Sequence, residues 1–304
     1  MSSFKRIAVI GAGAMGSFYA SKLADGNPGG VFLIAAGDRY DRLKNEGFTV
    51  NGKPYFLSVL NPGERAAPAD LIIVAVKHHH LEEAVGQMTP FVGDQTIFLS
   101  VMNGIDSEER IGAVHGMEKV LYAVAVGIDA LREGNAVTYT TQGKLFFGEK
   151  KNRVMTERVK GLRSLFDRAG IVCETPEDMI RILWWKYMIN VGINQASAVL
   201  RAPYGVFQKS TEARELMESA MKEVTTVAAA ARINITGEDI ENWYAFMARL
   251  SPAGKTSMLQ DVEAKRKTEV EMFGGKMMEL GKKYGIPTPV NETLFRIIRV
   301  IERY

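Results

Sequence analysis

The sequence predicts an α/β fold, an N-terminal doubly wound parallel sheet followed by an all-helical C-terminal domain. Three observations carry that expectation. Five apolar runs, at residues 6–10, 31–35, 71–76, 96–101 and 120–126, are continuous in Val, Ile, Leu and Ala rather than alternating, the pattern of strands buried on both faces. Glycines 11, 13 and 16 stand directly after the first run and before a stretch of helical composition. After Pro176, helical patterns dominate to the end of the chain.

The first strand, Arg6-Ile7-Ala8-Val9-Ile10, leads into Gly11-Ala12-Gly13-Ala14-Met15-Gly16, and residues 17–24 read as the helix that follows. Strand two is 31–35. The third run ends at Lys77, and the fourth ends at Asn103-Gly104. Alternation of such strands with helical segments makes a doubly wound sheet. Residues 136–139 and 144–148 read as short strands closing that sheet. Next come an amphipathic helix at 156–169 and a short strand at 171–174. Beyond them the pattern predicts helices at 180–193, 214–231, 238–249, 255–284 and 291–302, the fourth being the longest. Gly285-Ile286-Pro287-Thr288-Pro289 ends that one. The expected domains are 1–175 and 176–304, with the change near residues 174–178.

The chain has 304 residues, room for one large domain or two ordinary ones. Hydrophobic content of 46% and charged content of 24% are those of a globular protein. A net charge of +3, from 38 Lys and Arg against 35 acids, is too weak to point to nucleic acid or an anionic membrane. No apolar stretch approaches the roughly 18 residues that cross a bilayer. Cys173 is the single cysteine, so an intrachain disulfide is impossible and a reducing compartment is expected. Lys5-Arg6 before an apolar run briefly mimics a signal peptide, but three glycines interrupt it at once. The expectation is a cytoplasmic protein.

Gly11, Gly13 and Gly16 fit the pattern G-x-G-x-x-G in the required strand–turn–helix context of a Rossmann-type nucleotide site. The first glycine allows the tight turn, the second the approach of a pyrophosphate and the third close helix–strand packing. The helix N-terminus offers N–H groups and partial positive charge to phosphate. An acid at the second strand's tip would favour NAD, yet the chain there reads Ala35-Ala36-Gly37-Asp38-Arg39. Arg39 and Arg42 are candidates for a 2′-phosphate, and both assignments stay open. Lys77 and Asn103 follow strand ends, where ligands bind in open α/β sheets. His78-His79-His80 reads as a surface loop, because adjacent residues do not converge on one tetrahedral ion. No metal site is expected.

Lys186 lies in the apolar segment 180–193, where an ammonium costs several kcal/mol unless paired, hydrated or at a cleft. Asn190 and Asn194 follow at i+4 and i+8, which puts all three on one drifting helix face. A donor cation with two amides suits gripping a small polar molecule and moving a proton. A third cluster runs from Thr256 to Glu269. On one continuous helix, Ser257 and Glu269 would lie about 120° apart and three turns along, and Asp261 would pair with Lys265 at i+4.

Taken together, these residues resemble the ketopantoate reductase (2-dehydropantoate 2-reductase) family over essentially the whole chain. The resemblance rests on residues 10–16, Val76-Lys77, Asn103-Gly104 and Trp185-Lys186 with Asn190 and Asn194. It rests also on Ser257-Met258-Leu259-Gln260-Asp261 with Thr268-Glu269, and on the 285–289 turn. It implies NADPH-dependent reduction of a 2-keto acid to a 2-hydroxy acid in pantothenate synthesis. Lys186 would be the catalytic proton donor, Asn190, Asn194 and Ser257 would hold the substrate, and Glu269 would accept a hydrogen bond from its primary hydroxyl. Gly11, Ala12, Gly13, Ala14, Met15, Gly16, Lys77, Asn103 and Ala130 would line the NADP(H) site. Ala36 stands where the family usually has arginine, so NAD(H) stays open. Met102 and Tyr204 replace usual polar residues, so the identity of the 2-keto acid stays open too. The alternatives are a related reductase of another branched 2-keto acid or an imine, and a non-catalytic NADP(H) sensor, which would need neither Lys186 nor Glu269. Helical second domains of this class often pair, so a homodimer is expected.

Overall fold

The computed structural model describes residues 4–64 and 66–304. By its packing the chain separates into two units, the first ending at Ile182 and the second running from Leu183 to Tyr304.

The strands of the first unit are β1 (Ile7–Ile10), β2 (Val31–Ile34), β3 (Phe48–Val50), β4 (Lys53–Tyr55), β5 (Ser58–Leu60) and β6 (Leu71–Val74). They continue as β7 (Ile97–Ser100), β8 (Val120–Ile128), β9 (Leu131–Glu133), β10 (Ala136–Thr138), β11 (Gln142–Gly148) and β12 (Cys173–Glu174). Its helices are α1 (Ala14–Gly26), α2 (Gly37–Glu46), α3 (Leu81–Met88), α4 (Ser107–His115) and α5 (Glu157–Arg168), and α6 (Met179–Ile189) begins in it.

The main sheet has the order β12-β11-β8-β7-β6-β1-β2-β5. Pairing is parallel from β5 to β8, and β11 is antiparallel to β8. Every residue of β1, β2, β6 and β7 is buried, which is why those segments read as unbroken apolar runs. Ile7, Val9, Leu71 and Ile73 face one layer with Phe18, Leu23, Leu162 and Phe166 of α1 and α5. Ala8, Ile10, Ile72 and Val74 face the other, with Leu81, Val85, Met88 and Ile111 of α3 and α4. Strand order reverses between β1 and β6, so the crevice at their carboxyl ends is the place for a ligand.

One expectation for this sheet is corrected. Residues 136–138 do not close the main sheet; β10 pairs parallel with β3 and antiparallel with β9 in a separate sheet of order β4-β3-β10-β9. The cause lies in the preceding turn, where the Asp129 carboxylate accepts from Thr140 N (2.9 Å) and Thr141 N (2.8 Å) and folds 129–141 into a hairpin of its own. That hairpin turns towards the segment after α2. Asn135 Nδ2 donates to Glu46 Oε2 at 3.0 Å, and the Asn135 carbonyl accepts from Thr49 N at 2.9 Å.

The second unit continues α6 and adds α7 (Gln195–Leu200), α8 (Tyr204–Lys209), α9 (Thr211–Ala230), α10 (Gly237–Met247), α11 (Ser257–Glu263), α12 (Lys276–Tyr284) and α13 (Pro289–Ile301). Helix α9 supplies the central buried stripe, Met217, Ala220, Met221, Val224 and Val227. Its N-cap is Ser210, whose hydroxyl accepts from Ala213 N at 3.2 Å. Thr236 and Asp239 form a capping box at the start of α10.

Two helical expectations are corrected. The segment 180–193 is not one α-helix, because α6 passes at Ile189 into a widened π-turn, Asn190–Asn194, before α7 begins. Nor is 255–284 one helix. α11 stops at Glu263, Lys265 takes a left-handed φ of +51°, and helix resumes only at Val270, through a second π-turn at Glu271–Gly275. Two bonds close α11: Arg266 N donates to the Asp261 carbonyl at 2.8 Å, and Lys265 N to the Val262 carbonyl at 3.1 Å. That is a Schellman ending with lysine in the place glycine usually takes. Asp261 accordingly pairs with Arg266, Nε to Oδ1 2.9 Å, and not with Lys265.

Candidate active site

In the first unit the site begins at the glycine turn. Gly11 has φ +94°, and a Cβ there would stand 2.6 Å from the Ala75 carbonyl group on the strand alongside. A Cβ at Gly16 would sit 2.0 Å from the Gly11 oxygen. At Gly13, by contrast, a Cβ would meet nothing within 4 Å. The outer two glycines are therefore needed for packing, while the middle one leaves an open approach to backbone. Gly13 is also the N-cap of α1 and has no side chain with which to cap it. The first-turn N–H groups of Ala14, Met15 and Gly16 are then left for an outside acceptor. This cradle fits a dinucleotide pyrophosphate.

The other expected residues of this unit lie at the same carboxyl edge. Lys77 follows β6 and caps the short turn His78–His80. Asn103 follows β7, beside Gly104 with φ +96°. Its loop is braced underneath, where Ser100 Oγ and Ser107 Oγ are 2.8 Å apart and Ser107 Oγ donates to Glu108 Oε2 at 2.9 Å. Burial pushes the Glu108 carboxyl up to about 7, against hydrogen bonds from Ser107 and from backbone. Ala130 follows Asp129. Burial there is outweighed by hydrogen bonds from Thr140 and Thr141, which hold the Asp129 carboxyl below its ordinary value.

One feature of this edge is not legible in the chain. Arg39 and Arg42 lie one turn apart on α2, just after the tip of β2, and the β9–β10 hairpin brings Arg132 towards them. Burial, then the charges of Arg42 and Arg39, lower the pKa of Arg132. Guanidinium groups that repel one another in this way suit an anion. Arg132 is far from the other two in sequence, and only the hairpin's docking onto the segment after α2 joins them.

In the second unit Lys186 sits on α6. It keeps some accessible surface, yet protein atoms crowd its ammonium enough that burial lowers its pKa from 10.5 to about 8, with Glu269 pulling the other way. Asn194 is 5% exposed, donating through Nδ2 to Asn190 Oδ1 at 3.2 Å. Its Oδ1 accepts from Ser257 Oγ at 3.1 Å and from Met258 N at 3.3 Å. Asn190, Asn194 and Ser257 are thus brought together as one chain, and Asn194 is the link that orients the others. Asn190 and Asn194 meet at the expected i, i+4 spacing within the π-turn, and Ser257 joins them from 63 residues away.

Ser257 and Glu269 do not lie on one helix. Ser257 is the first residue of α11, behind Thr256, whose hydroxyl caps Leu259 N and lies 2.5 Å from Ser197 Oγ. Glu269 precedes the next helix, its carbonyl accepting from Met272 N at 3.0 Å and Phe273 N at 3.3 Å. Thr268 fixes this start. Its backbone N–H and its hydroxyl both donate to Glu302 Oε1, at 2.8 and 2.6 Å. Glu269 is 9% exposed. A desolvated ammonium under the influence of a buried carboxylate, beside linked amides and a hydroxyl, can polarise a carbonyl, hold a polar substrate and exchange a proton.

Comparison with known proteins shows the family. The family model "Ketopantoate reductase PanE/ApbA" matches residues 7–152, and "Ketopantoate reductase PanE/ApbA C terminal" matches residues 178–302. The chain is 27% identical to the 2-dehydropantoate 2-reductase of Aquifex aeolicus over 301 residues, 97% of this chain and 96% of that one. It is also 27% identical to the 2-dehydropantoate 2-reductase of Archaeoglobus fulgidus, covering 98% of both. Among solved structures, the 2-dehydropantoate 2-reductase of Geobacter metallireducens superimposes with a TM-score of 0.86 at 26% identity, over 97% of this chain and 99% of that one. A D-mandelate dehydrogenase in complex with NADH and anilino(oxo)acetate shares the fold, with a TM-score of 0.89 at 24% identity over 98% of both chains. With both halves matched in order, the chain belongs to the ketopantoate reductase family of oxidoreductases.

Proposed function

We propose that this chain reduces 2-dehydropantoate (ketopantoate) to pantoate with NADPH, in pantothenate synthesis. The observation that carries the reading is the linked set Asn190, Asn194 and Ser257, with Lys186 one turn before Asn190 and its ammonium under the pull of Glu269. The reduced nicotinamide, when bound, supplies the hydride that goes to the keto carbon. Lys186 stabilises the charge that develops on the keto oxygen and gives that oxygen its proton. Its lowered pKa suits this, since an ammonium at the ordinary lysine value would hold the proton too tightly near neutral pH. Asn190, Asn194 and Ser257 hold the substrate's polar groups. Glu269 accepts from its primary hydroxyl, a contact that keto acids lacking that hydroxyl do not make.

Residues 1–175 serve as the cofactor domain and 176–304 as the substrate domain. Gly11, Ala12, Gly13, Ala14, Met15, Gly16, Lys77, Asn103 and Ala130 hold the dinucleotide. Arg39, Arg42 and Arg132 favour the 2′-phosphate of NADPH over NADH despite Ala36. The enzyme works in the cytoplasm and pairs as a homodimer. A second reading, reduction of another branched 2-keto acid, is favoured by Tyr204, an aromatic residue whose hydroxyl pKa burial raises, standing in the loop where the family often has a second polar contact. The experiment that separates them is a panel of 2-keto acids assayed with NADPH and with NADH. The proposal requires the highest kcat/KM for ketopantoate with NADPH; a larger value for a substrate without the primary hydroxyl contradicts it.

A further inference from the structure

Two ties join the same pair of segments. One is the attraction between Lys186 and Glu269. The other is a hydrogen bond between their neighbours, in which the Tyr187 hydroxyl donates to the Phe273 carbonyl at 2.8 Å. Tyr187 is next to Lys186 and 1% exposed. Phe273 is in the π-turn Glu271–Gly275, and its own N–H donates to the Glu269 carbonyl at 3.3 Å. The path from Lys186 to Tyr187, across to Phe273 and back to Glu269 is therefore closed by short contacts. Packing alone does not call for a hydroxyl here. The Tyr187 ring meets Trp184 edge-on at 6.0 Å and lies 6.4 Å from the Phe273 ring, contacts a phenylalanine would keep. What the hydroxyl adds is a second donor to a carbonyl that already accepts from the Lys276 N–H, and this donor comes from another helix, so it ties the π-turn to α6.

We propose that Tyr187 is a positioning residue, its hydroxyl holding the π-turn behind Glu269 at a fixed distance from the helix that carries Lys186. The inference rests on the reading of Lys186 and Glu269 given above, but its test needs no substrate. In full-length protein labelled with carbon-13 lysine, the Lys186 side-chain signal is assigned with Lys186→Met and titrated. Tyr187→Phe frees the turn and weakens the pull of Glu269, so Lys186 titrates lower by about half a pH unit or more. In a Glu269→Gln background the same change moves the titration by no more than about 0.2 unit, because the residue it acts through is gone. A role in packing alone would lower the melting temperature and leave the titration in place.

Lys186 titrating as in the parent protein overturns the proposal, as does a shift that persists undiminished with Glu269→Gln. Should Tyr187→Phe fail to fold, the hydroxyl proton of Tyr187 in the unaltered protein is followed by exchange with solvent. Protection supports the tie, and rapid exchange overturns it. Failure of ketopantoate turnover alongside a shifted titration would remove the substrate assignment and leave the tie standing.

Discussion

The pH dependence of catalysis follows from one number, the lowering of the Lys186 pKa to about 8 by burial. With Lys186 as the proposed proton donor, reduction would need the ammonium and oxidation of the hydroxy acid the free amine. The protonated fraction falls from about 0.9 near pH 7 to about 0.1 near pH 9. Hence kcat/KM for ketopantoate reduction drops about tenfold over that interval, while the reverse reaction rises by a similar factor. Both are read from nicotinamide absorbance in steady state. The same shift reaches stability with a definite sign. The folded-state pKa is below the unfolded value of 10.5, so the ammonium is disfavoured by folding. The cost is absent above about pH 10.5, grows as pH falls, and is complete below about pH 8. Its full size is about 3 kcal/mol, from a shift of roughly 2.5 units at 1.36 kcal/mol each. Urea unfolding of the parent chain and of Lys186→Gln should therefore diverge across that window. Parallel stability curves together with a flat reduction profile from pH 7 to 9 would refute the reasoning.

Three further outcomes follow from the same geometry. Glu269→Ala should raise KM for ketopantoate by about tenfold or more and leave KM for simple pyruvate-like acids little changed, while kcat falls on both because Lys186 loses that carboxylate's pull; equal rises in KM on both would remove the hydroxyl contact. Arg132→Ala should weaken NADPH by about tenfold and NADH by less than about twofold, as loss of a charged hydrogen bond to phosphate would. Equal effects in fluorescence titrations would assign the arginines elsewhere. Gly16→Ala places a Cβ 2.0 Å from the Gly11 oxygen and should cost at least about tenfold in Kd for either dinucleotide; unchanged affinity in calorimetry would show that the turn is not the cradle.

Much of this molecule is legible in its sequence wherever one local rule decides the structure. Buried parallel strands announce themselves as continuous apolar runs, and β1, β2, β6, β7 and β8 all do so. The end of α12 is equally plain. Gly285 takes φ +69°, and Ile286 N bonds back to the Gly281 carbonyl at 2.8 Å. The end of α11 uses the same closure at Lys265, a good helix former, and the sequence therefore reads straight through it. The π-turns are hidden for a related reason. Asn190–Asn194 and Glu271–Gly275 are held by tertiary partners. Gln195 Nε2 donates to the Val191 carbonyl and to Asn291 Oδ1, both at 2.8 Å, and Tyr187 holds Phe273. Asn291 and Phe273 lie 96 and 86 residues from the side chains that meet them and carry no periodic signal. Lys186, Asn190, Asn194, Ser257 and Glu269 are singled out in the sequence by residue type and spacing. The Asn190–Asn194 contact follows from their i, i+4 spacing, whereas the meeting of Ser257 with Asn194, 63 residues away, has no local signal.

The most direct measurement is a single turnover of enzyme-bound NADPH with ketopantoate in Lys186→Ala. The account predicts NADPH affinity within about twofold of the parent chain and oxidation of the bound NADPH slowed by about two orders of magnitude or more. Oxidation at the parental rate would mean that some other group supplies the proton, and the role given to Lys186 would be wrong.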